Sequence, residues 1–196
     1  MADWVSATKT LDKGTDSQTC FISWNPLPHD WIKLNVDSSM RPELGSIAAG
    51  GVFRDDIYNW LSGFAMNKGV GSALEAEMWG IFEGMSIAWK TGYKKLVIET
   101  DSMSAVHLLN ATLPQNHHLF SIAQACRNLM EEDWSCTICH GYRESNRVAD
   151  SLANLANLGH SLDLGTIVFE RPPPQISILL DEDLRGLSFA RIVPRT

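Results

Sequence analysis

Apolar and polar residues alternate with a period of two in several stretches of the chain, which is the pattern of strands with two distinct faces. In the first such stretch, Ile32, Leu34 and Val36 alternate with polar positions, and the apolar run ends on Asp37. The stretches predicted to be strands are 31–38, 47–54, 58–65, 95–100 and 134–142. Short turns join the first three, which predicts an antiparallel meander.

Apolar residues spaced three and four positions apart predict helices between and after these strands. The predicted helices span residues 72–89, 102–109, 120–132 and 146–158. Ser72 and Glu75 have the spacing of a capping box at the start of the first helix, and Gly92 is a typical helix-ending residue. Strands and helices in this order predict an α/β domain over residues 31–160.

The two flanking segments lack these patterns. Residues 1–30 are polar and rich in turn residues, so we expect a loosely ordered leader. Residues 161–196 include Pro172, Pro173 and Pro174, which disfavour a helix or an inner strand there. We expect an extension that packs an apolar strip on the domain or is partly disordered, not a second domain. Within the second strand, Gly50 and Gly51 predict the close approach of another backbone or a ligand.

The composition narrows the class of protein. The 196 residues are 44% hydrophobic and 20% charged, as expected of an ordinary globular domain. No apolar run reaches the roughly 20 residues that span a bilayer, so no membrane partner is expected. Since a secretory signal pattern is also missing, we expect an intracellular protein, nuclear or cytoplasmic. The net charge of −7 argues against a broad electrostatic grip on nucleic acid.

Cys136, Cys139 and His140 fit the C-x-x-C-H pattern of covalent haem attachment. Side chains three positions apart point to opposite faces of a strand, however, and both cysteines fall in the fifth predicted strand. We therefore expect no haem, and we interpret the cysteines as buried free thiols.

Four carboxylates occupy comparable places along the predicted elements. Asp37 and Asp101 lie at the ends of strands, Glu77 lies in the first turns of a helix, and Asp150 lies near the start of another. Each has a simple structural explanation by itself, such as a helix N-cap for Asp101. Together they form a cluster of like charges that needs cations, and oxygen ligands favour Mg²⁺ or Mn²⁺. Two such ions about 3.5–4 Å apart can polarise a phosphodiester for attack by water.

Five motifs occur in an order that resembles a known family. They are Asn35–Ser38, Ala49–Asp55, Ala76-Glu77, Glu99–Ser102 and His140–Asp150. The set resembles the type-1 ribonuclease H domain, in particular the plant group related to retrotransposon reverse transcriptases. This resemblance implies a ribonuclease-H-like α/β fold: a five-stranded mixed sheet with three antiparallel strands first, two further strands parallel to the first, and helices on both faces.

The activity that the resemblance implies is endonucleolytic cleavage of the RNA strand of an RNA–DNA hybrid with two Mg²⁺ ions. By motif position the metal ligands are Asp37, Glu77, Asp101 and Asp150. His140 matches a histidine that assists proton transfer or product release, and Asn146 matches a residue near the RNA strand. The residues expected to contact substrate are Ser38, Arg143 and Asn146, although a salt bridge to Glu144 is the simpler expectation for Arg143.

Two departures from the family support a rival hypothesis. Ser38 stands where the family usually has glycine, so its Cβ would crowd the backbone that approaches substrate. Residues 102–133 contain only Arg127 as Lys or Arg, although some members carry a basic protrusion there. The alternative is a weak or inactive module that binds nucleic acid or protein. A 3′–5′ exonuclease ranks third because Ser39 replaces the glutamate of an Asp-x-Glu pair.

Overall fold

The computed structural model of the chain describes residues 17–158 and 164–194. The strands in these residues are β1 (Ser17–Ile22), β2 (Ile32–Arg41), β3 (Ser46–Arg54), β4 (Trp60–Val70), β5 (Lys95–Thr100), β6 (Ser135–His140), β7 (Gly165–Phe169) and β8 (Phe189–Pro194). The α-helices are α1 (Ala73–Thr91), α2 (Met103–Asn110), α3 (Phe120–Met130), α4 (Arg147–Leu158) and α5 (Ser177–Leu184).

The central sheet has the predicted five strands and a sixth that was not predicted. Its order is β6-β5-β2-β3-β4-β7. The strands β2, β3 and β4 are antiparallel neighbours, whereas β5 is parallel to β2 and β6 is parallel to β5. The additional strand β7 comes from the C-terminal extension and pairs with β4. It covers backbone groups that would otherwise form an open edge of the sheet.

The structure corrects the predicted position of Asp37 at the tip of its strand. The strand β2 continues to Arg41 and pairs with β3 along this whole length, so Asp37 lies within the strand. Its pairing with β5 is shorter and ends at Val36, opposite Thr100. Asp37 is therefore the first residue of β2 beyond the neighbouring parallel strand, where one side of the strand is free of a partner.

Helices pack on both faces of the sheet, as predicted. Leu34, Val36 and Ala49 belong to the larger core cluster, which also contains residues of α1, α2 and α3. On the other face, Val52 packs with Val148 and Leu152 of α4. The alternation of side chains along each strand thus supplies two separate apolar layers.

Two glycines set how closely the helices approach the sheet. A Cβ on Gly50 would meet the backbone of α4 at Leu152 and Ala153, so the close approach predicted for this strand is confirmed. On the opposite face, a Cβ on Gly80 of α1 would meet Val36 and Ala49 at 2.8 Å. The two helices are thereby held close to opposite faces of the sheet, at β2 and β3.

The flanking segments contribute ordered structure within the described residues. Residues 1–16 of the expected leader, 159–163 and 195–196 lie outside those residues. The strand β1 pairs with β8, which joins the two ends of the described chain, and Trp24 is 1% exposed. The acidic stretch 181–183 lies in α5. No helix in residues 17–158 and 164–194 is long and apolar enough to cross a membrane.

Candidate metal centre

Strand register brings the first two acidic residues together. The pairing of β2 with β5 ends at Val36 and Thr100. The residues that follow these two are Asp37 and Asp101. One carboxylate oxygen from each of Asp37, Asp101 and Glu77 lies within 4.8 Å of the other two. Three of the four predicted metal ligands therefore form a compact group.

Glu77 enters this group from α1. The predicted capping box is present: Ser72 accepts from the Glu75 N–H at 3.2 Å, and Glu75 accepts from the Ser72 N–H at 2.6 Å. This fixes the first turn of the helix, and Glu77 follows it. The Glu77 carboxylate accepts a hydrogen bond from the Thr100 hydroxyl at 2.9 Å and another from Ser38.

Burial and mutual repulsion make the group hard to ionise without a cation. Burial, followed by the charges of Asp101 and Glu77, raises the pKa of Asp37 to about 8. Burial raises the pKa of Glu77 to about 7, although hydrogen bonds from Ser38 and Thr100 oppose the increase. The pKa of Asp101 is also raised, chiefly by burial. These shifts are those expected of like charges in a site of low water content.

Asp37 has one oxygen that the protein does not satisfy. Its Oδ1 accepts from the Ser38 N–H at 2.8 Å, whereas its buried Oδ2 has no hydrogen-bond partner. An unsatisfied carboxylate oxygen in a group of acids is a strong acceptor for a hard divalent cation. The residues present therefore fit Mg²⁺ or Mn²⁺.

Asp150 lies beside the group but outside it. Its Oδ1 accepts from Arg143 at 3.2 Å and its Oδ2 from Asn154 at 3.1 Å. Its charge still contributes to the raised pKa values of Asp37 and Asp101. Asp150 thus borders the three-carboxylate group and is held by its own partners.

His140 and Arg143 lie on the same side of the site. His140 ends β6 opposite Thr100, and its ring packs edge-on against Tyr142 with centroids 5.6 Å apart. The charges of Arg143 and His140 act to lower the pKa of Asp101. The expected salt bridge of Arg143 to Glu144 is wrong: its guanidinium contacts Asp150.

Asn146 and Ser38 contact the protein rather than open solvent. Asn146 is 0% exposed, and its amide donates to the Val36 carbonyl at 2.8 Å. Asn146, which was expected beside the RNA strand, therefore bonds to β2 at the residue before Asp37. The Ser38 N–H donates to Asp37, and its side chain and backbone hydrogen-bond to Glu77, so this residue links two of the acids.

Arg127 of α3 hydrogen-bonds to the end of α2. Its guanidinium donates to the carbonyl oxygens of Leu108, Leu109 and Ala111, at the end of α2. Since Arg127 is the one Lys or Arg in 102–133, and its guanidinium bonds to these carbonyls, this part of the chain has no other guanidinium to offer a phosphate.

The cysteine pair lies away from the acidic group. Cys136 packs against the larger core cluster, and the Cys139 thiol donates to the Ile98 carbonyl at 3.6 Å. Burial raises the pKa of Cys136 to about 12 and that of Cys139 to about 11. Because the thiolate is the form that binds metals, these thiols are poor ligands near neutral pH.

Two supporting residues were missed at the sequence level. Thr100 donates to Glu77, and Asn154 donates to Asp150. The spacing of Asn154, four residues after Asp150 on one helix, was a usable signal for such a pair. Thr100 offered no signal because its partner lies 23 residues away on another element.

Comparisons with known proteins agree with this geometry. A family described as reverse transcriptase-like matches residues 35–156. A protein of Arabidopsis thaliana, provisionally named a ribonuclease H protein, is 38% identical over 172 residues. That alignment covers 88% of this chain but only 27% of the relative.

Solved structures share the fold at low sequence identity. Ribonuclease H1 of Halobacterium salinarum has a TM-score of 0.58 at 22% identity, over 64% of this chain and 96% of its own. LC11 ribonuclease H1, solved with an RNA/DNA hybrid, has a TM-score of 0.57 at 20% identity, over 64% of this chain and 95% of its own. The protease-reverse transcriptase of prototype foamy virus has a TM-score of 0.52 at 18% identity, over 71% of this chain and 23% of its own. The fold expected from the five motifs is confirmed.

Proposed function

Because the chain belongs to the reverse transcriptase-like family and has the ribonuclease H fold, we propose that it hydrolyses the RNA strand of RNA–DNA hybrids with Mg²⁺. The observation that carries this proposal is the buried group of Asp37, Glu77 and Asp101, with the unsatisfied Oδ2 of Asp37. A purely structural cluster of acids would be expected to have cationic or hydrogen-bonding partners at every buried oxygen.

Asp37, Glu77 and Asp101 would hold the metal, and Asp150 would complete the ligand set on the open side. When bound, two Mg²⁺ ions supply the charge that polarises a phosphodiester and lowers the pKa of a water molecule. Ser38 and Thr100 orient the Glu77 carboxylate through their hydrogen bonds. These contacts preserve the geometry of the acids before the metal arrives, which limits the reorganisation that binding requires.

His140 and Arg143 would act on the substrate at the open edge of the same site. The His140 imidazole stands at the end of β6 and carries a proton to or from the reacting oxygens. Arg143, whose side chain is 71% exposed, reaches a phosphate by releasing Asp150. A guanidinium is well suited to this exchange because it bonds carboxylate and phosphate in the same planar geometry.

The test is cleavage of a labelled RNA–DNA hybrid by the full chain, with Mg²⁺ and with a chelator. We expect Mg²⁺-dependent cleavage of the RNA strand and none of matched duplex DNA. Glu77→Gln should abolish it, whereas Glu132→Gln, an exposed change after α3, should not. Cleavage that persists in the chelator, or that is equal in Glu77→Gln and the unmodified chain, would refute the proposal.

A second candidate function is non-catalytic binding of nucleic acid or protein. The observation that favours it is the engagement of Arg127 and Arg143 with the protein itself, which leaves few cations to hold a hybrid near the acids. In that case, fluorescence titration at low salt should show a preference for hybrid over duplex DNA while cleavage remains absent. Equal affinity for both duplexes would exclude a hybrid-binding module.

A further inference from the structure

The segment that joins β6 to α4 is covered on its outer side by the C-terminal extension. Arg191 of β8 donates to both carboxylate oxygens of Glu144, each at 3.0 Å. The same guanidinium lies over the Tyr142 ring, 4.9 Å from its centroid. Both hydrogen bonds come from one nitrogen, Nη1, and together with the ring contact they hold the arginine against Glu144 and Tyr142.

A second set of contacts holds the start of α4. Arg147 donates to Glu182 of α5 at 2.6 Å and to Asp183 at 3.4 Å. Its guanidinium also lies over the Phe189 ring, 4.1 Å from the centroid. Residues of α5 and β8 therefore contact α4 at Arg147, three positions before Asp150.

The inner side of the segment has its own anchors. The Ser145 hydroxyl lies 3.2 Å from the Glu99 carboxylate and 2.8 Å from the Tyr142 carbonyl, and Asn146 donates to Val36. The backbone N–H groups of Ser145 and Asn146 donate to the carbonyls of Tyr142 and Arg143. The side chains of Tyr142 and Glu144, on either side of Arg143, contact His140 and Arg191. The outer contacts therefore act on the side chains that flank Arg143, along a turn whose backbone the inner anchors hold.

We propose that Arg191 is a positioning residue: by fixing Glu144 and Tyr142 it sets the orientation of Arg143 and His140 toward Asp150. Arg191 lies outside residues 35–156, the part that matches the family, so the family likeness does not assign this role. The catalytic consequence rests on the proposed function, whereas the ordering of the segment does not.

Charge gives a second reason for the pair. Without Arg191, the Glu144 carboxylate would be left unpaired one residue from Arg143. It would also add negative charge at the edge where a phosphate must approach. The Arg191–Glu144 pair removes both effects at once.

The experiment uses the full chain with Arg191→Glu, Glu144→Gln and the charge swap Glu144→Arg/Arg191→Glu. Arg185→Glu is the control, because Arg185 pairs with Asp181 on the exposed side of α5. The first readout, amide hydrogen exchange over residues 142–147, needs neither metal nor substrate. We expect about 5-fold faster exchange in the two single-site variants, near wild-type exchange in the charge swap, and no change in the control.

The second readout is steady-state cleavage of the hybrid. For Arg191→Glu we expect kcat to fall about 5-fold, with a KM within about 2-fold of wild type. The charge swap should recover kcat. Unchanged exchange in both single-site variants would overturn the positioning role. If Arg191→Glu folds poorly, Glu144→Gln alone decides, and unchanged exchange in that variant overturns the role. Faster exchange with no cleavage by the unmodified chain would instead refute the proposed nuclease and leave the positioning of the segment standing.

Discussion

Two charged residues on one face of β2, with a polar residue between them, show two opposite ways of burying a charge. Lys33, Asn35 and Asp37 alternate along the strand, and each is at most 6% exposed. Lys33 pairs with Glu99 at 2.6 Å, and Asn35 accepts from Trp24 and Arg54. Asp37, two positions further on, has acids for neighbours and an unsatisfied oxygen.

Lys33, Asn35 and the partners around them form a paired region that joins distant parts of the chain. Arg54 donates to Asp183 at 2.7 Å and to Asn35 at 2.9 Å, and its guanidinium lies 4.2 Å from the centroid of the Trp24 ring. The leader, the sheet and the extension thereby meet around one buried cation. Its desolvation is offset by contacts that the protein itself supplies.

In the acidic region the protein supplies no such partner. Among residues 17–158 and 164–194, no Lys or Arg forms a salt bridge with Asp37, Glu77 or Asp101. The raised pKa values record the cost of that arrangement. Buried charges with partners stabilise the fold, whereas buried charges without them mark the place where a cation from outside is needed.

The largest expected effect is on the paired region. Asp183→Asn leaves Arg54 buried without its carboxylate, which should lower the free energy of unfolding by about 3–5 kcal/mol. Urea denaturation followed by tryptophan fluorescence measures this change. The matched control is Asp181→Asn on the same helix, where the half-exposed pair with Arg185 contributes at most about 1 kcal/mol. Equal losses for both variants would contradict the distinction between buried and surface pairs.

Asp37→Asn should have the opposite effects: a large loss of activity and no loss of stability. We expect hybrid cleavage to fall at least about 100-fold, since even indirect supports of a metal contribute 10- to 100-fold. The free energy of unfolding without metal should stay the same or rise, because a repulsive charge is removed. The control is Asp133→Asn, an exposed site just before β6 and at the opposite end of that strand from His140. A variant that keeps its activity would remove Asp37 from the metal site.

Mg²⁺ affinity should rise with pH. Asp37 and Glu77, with pKa values of about 8 and 7, must lose protons before they bind a cation. Calorimetry should therefore show at least about 10-fold tighter binding at pH 8 than at pH 6, with proton release on binding. An affinity independent of pH in this range would mean that these carboxyl groups are not ligands.

The smallest effect is on the stability of the metal-free protein. The folded pKa of Asp37 lies above its ordinary value of 3.8, so the folded state holds a proton that the unfolded state has released. The contribution of this group to stability is thus complete below about pH 4 and is lost as the pH rises to about 8. Relative to wild type, Asp37→Asn should therefore be more stable at pH 8 than at pH 5. Denaturation at the two pH values measures this gain, and an equal difference at both would disprove the shift.

Local patterns were enough to predict much of the fold. Alternation along β2 and β3, the capping box of Ser72 and Glu75, and the final Gly92 were all present in short stretches and are all confirmed. The four acids were recognised from motif order, and three of them meet as that order implied. Strand alternation and helix caps depend on neighbours within a few residues, so they can be read without the tertiary structure.

Other features depended on contacts between distant segments. Pairing of β7 with β4 and of β1 with β8 joins segments whose own patterns predicted no sheet. Arg54 and Asp183 are 129 residues apart, and the register of β2 against β5 is what leaves Asp37 next to Asp101. The sequence alone determined which acids the chain carries and which elements hold them. Tertiary structure decided which charges received partners, because the cost of burying a charge depends on whatever distant groups the folded chain brings within a few ångströms of it.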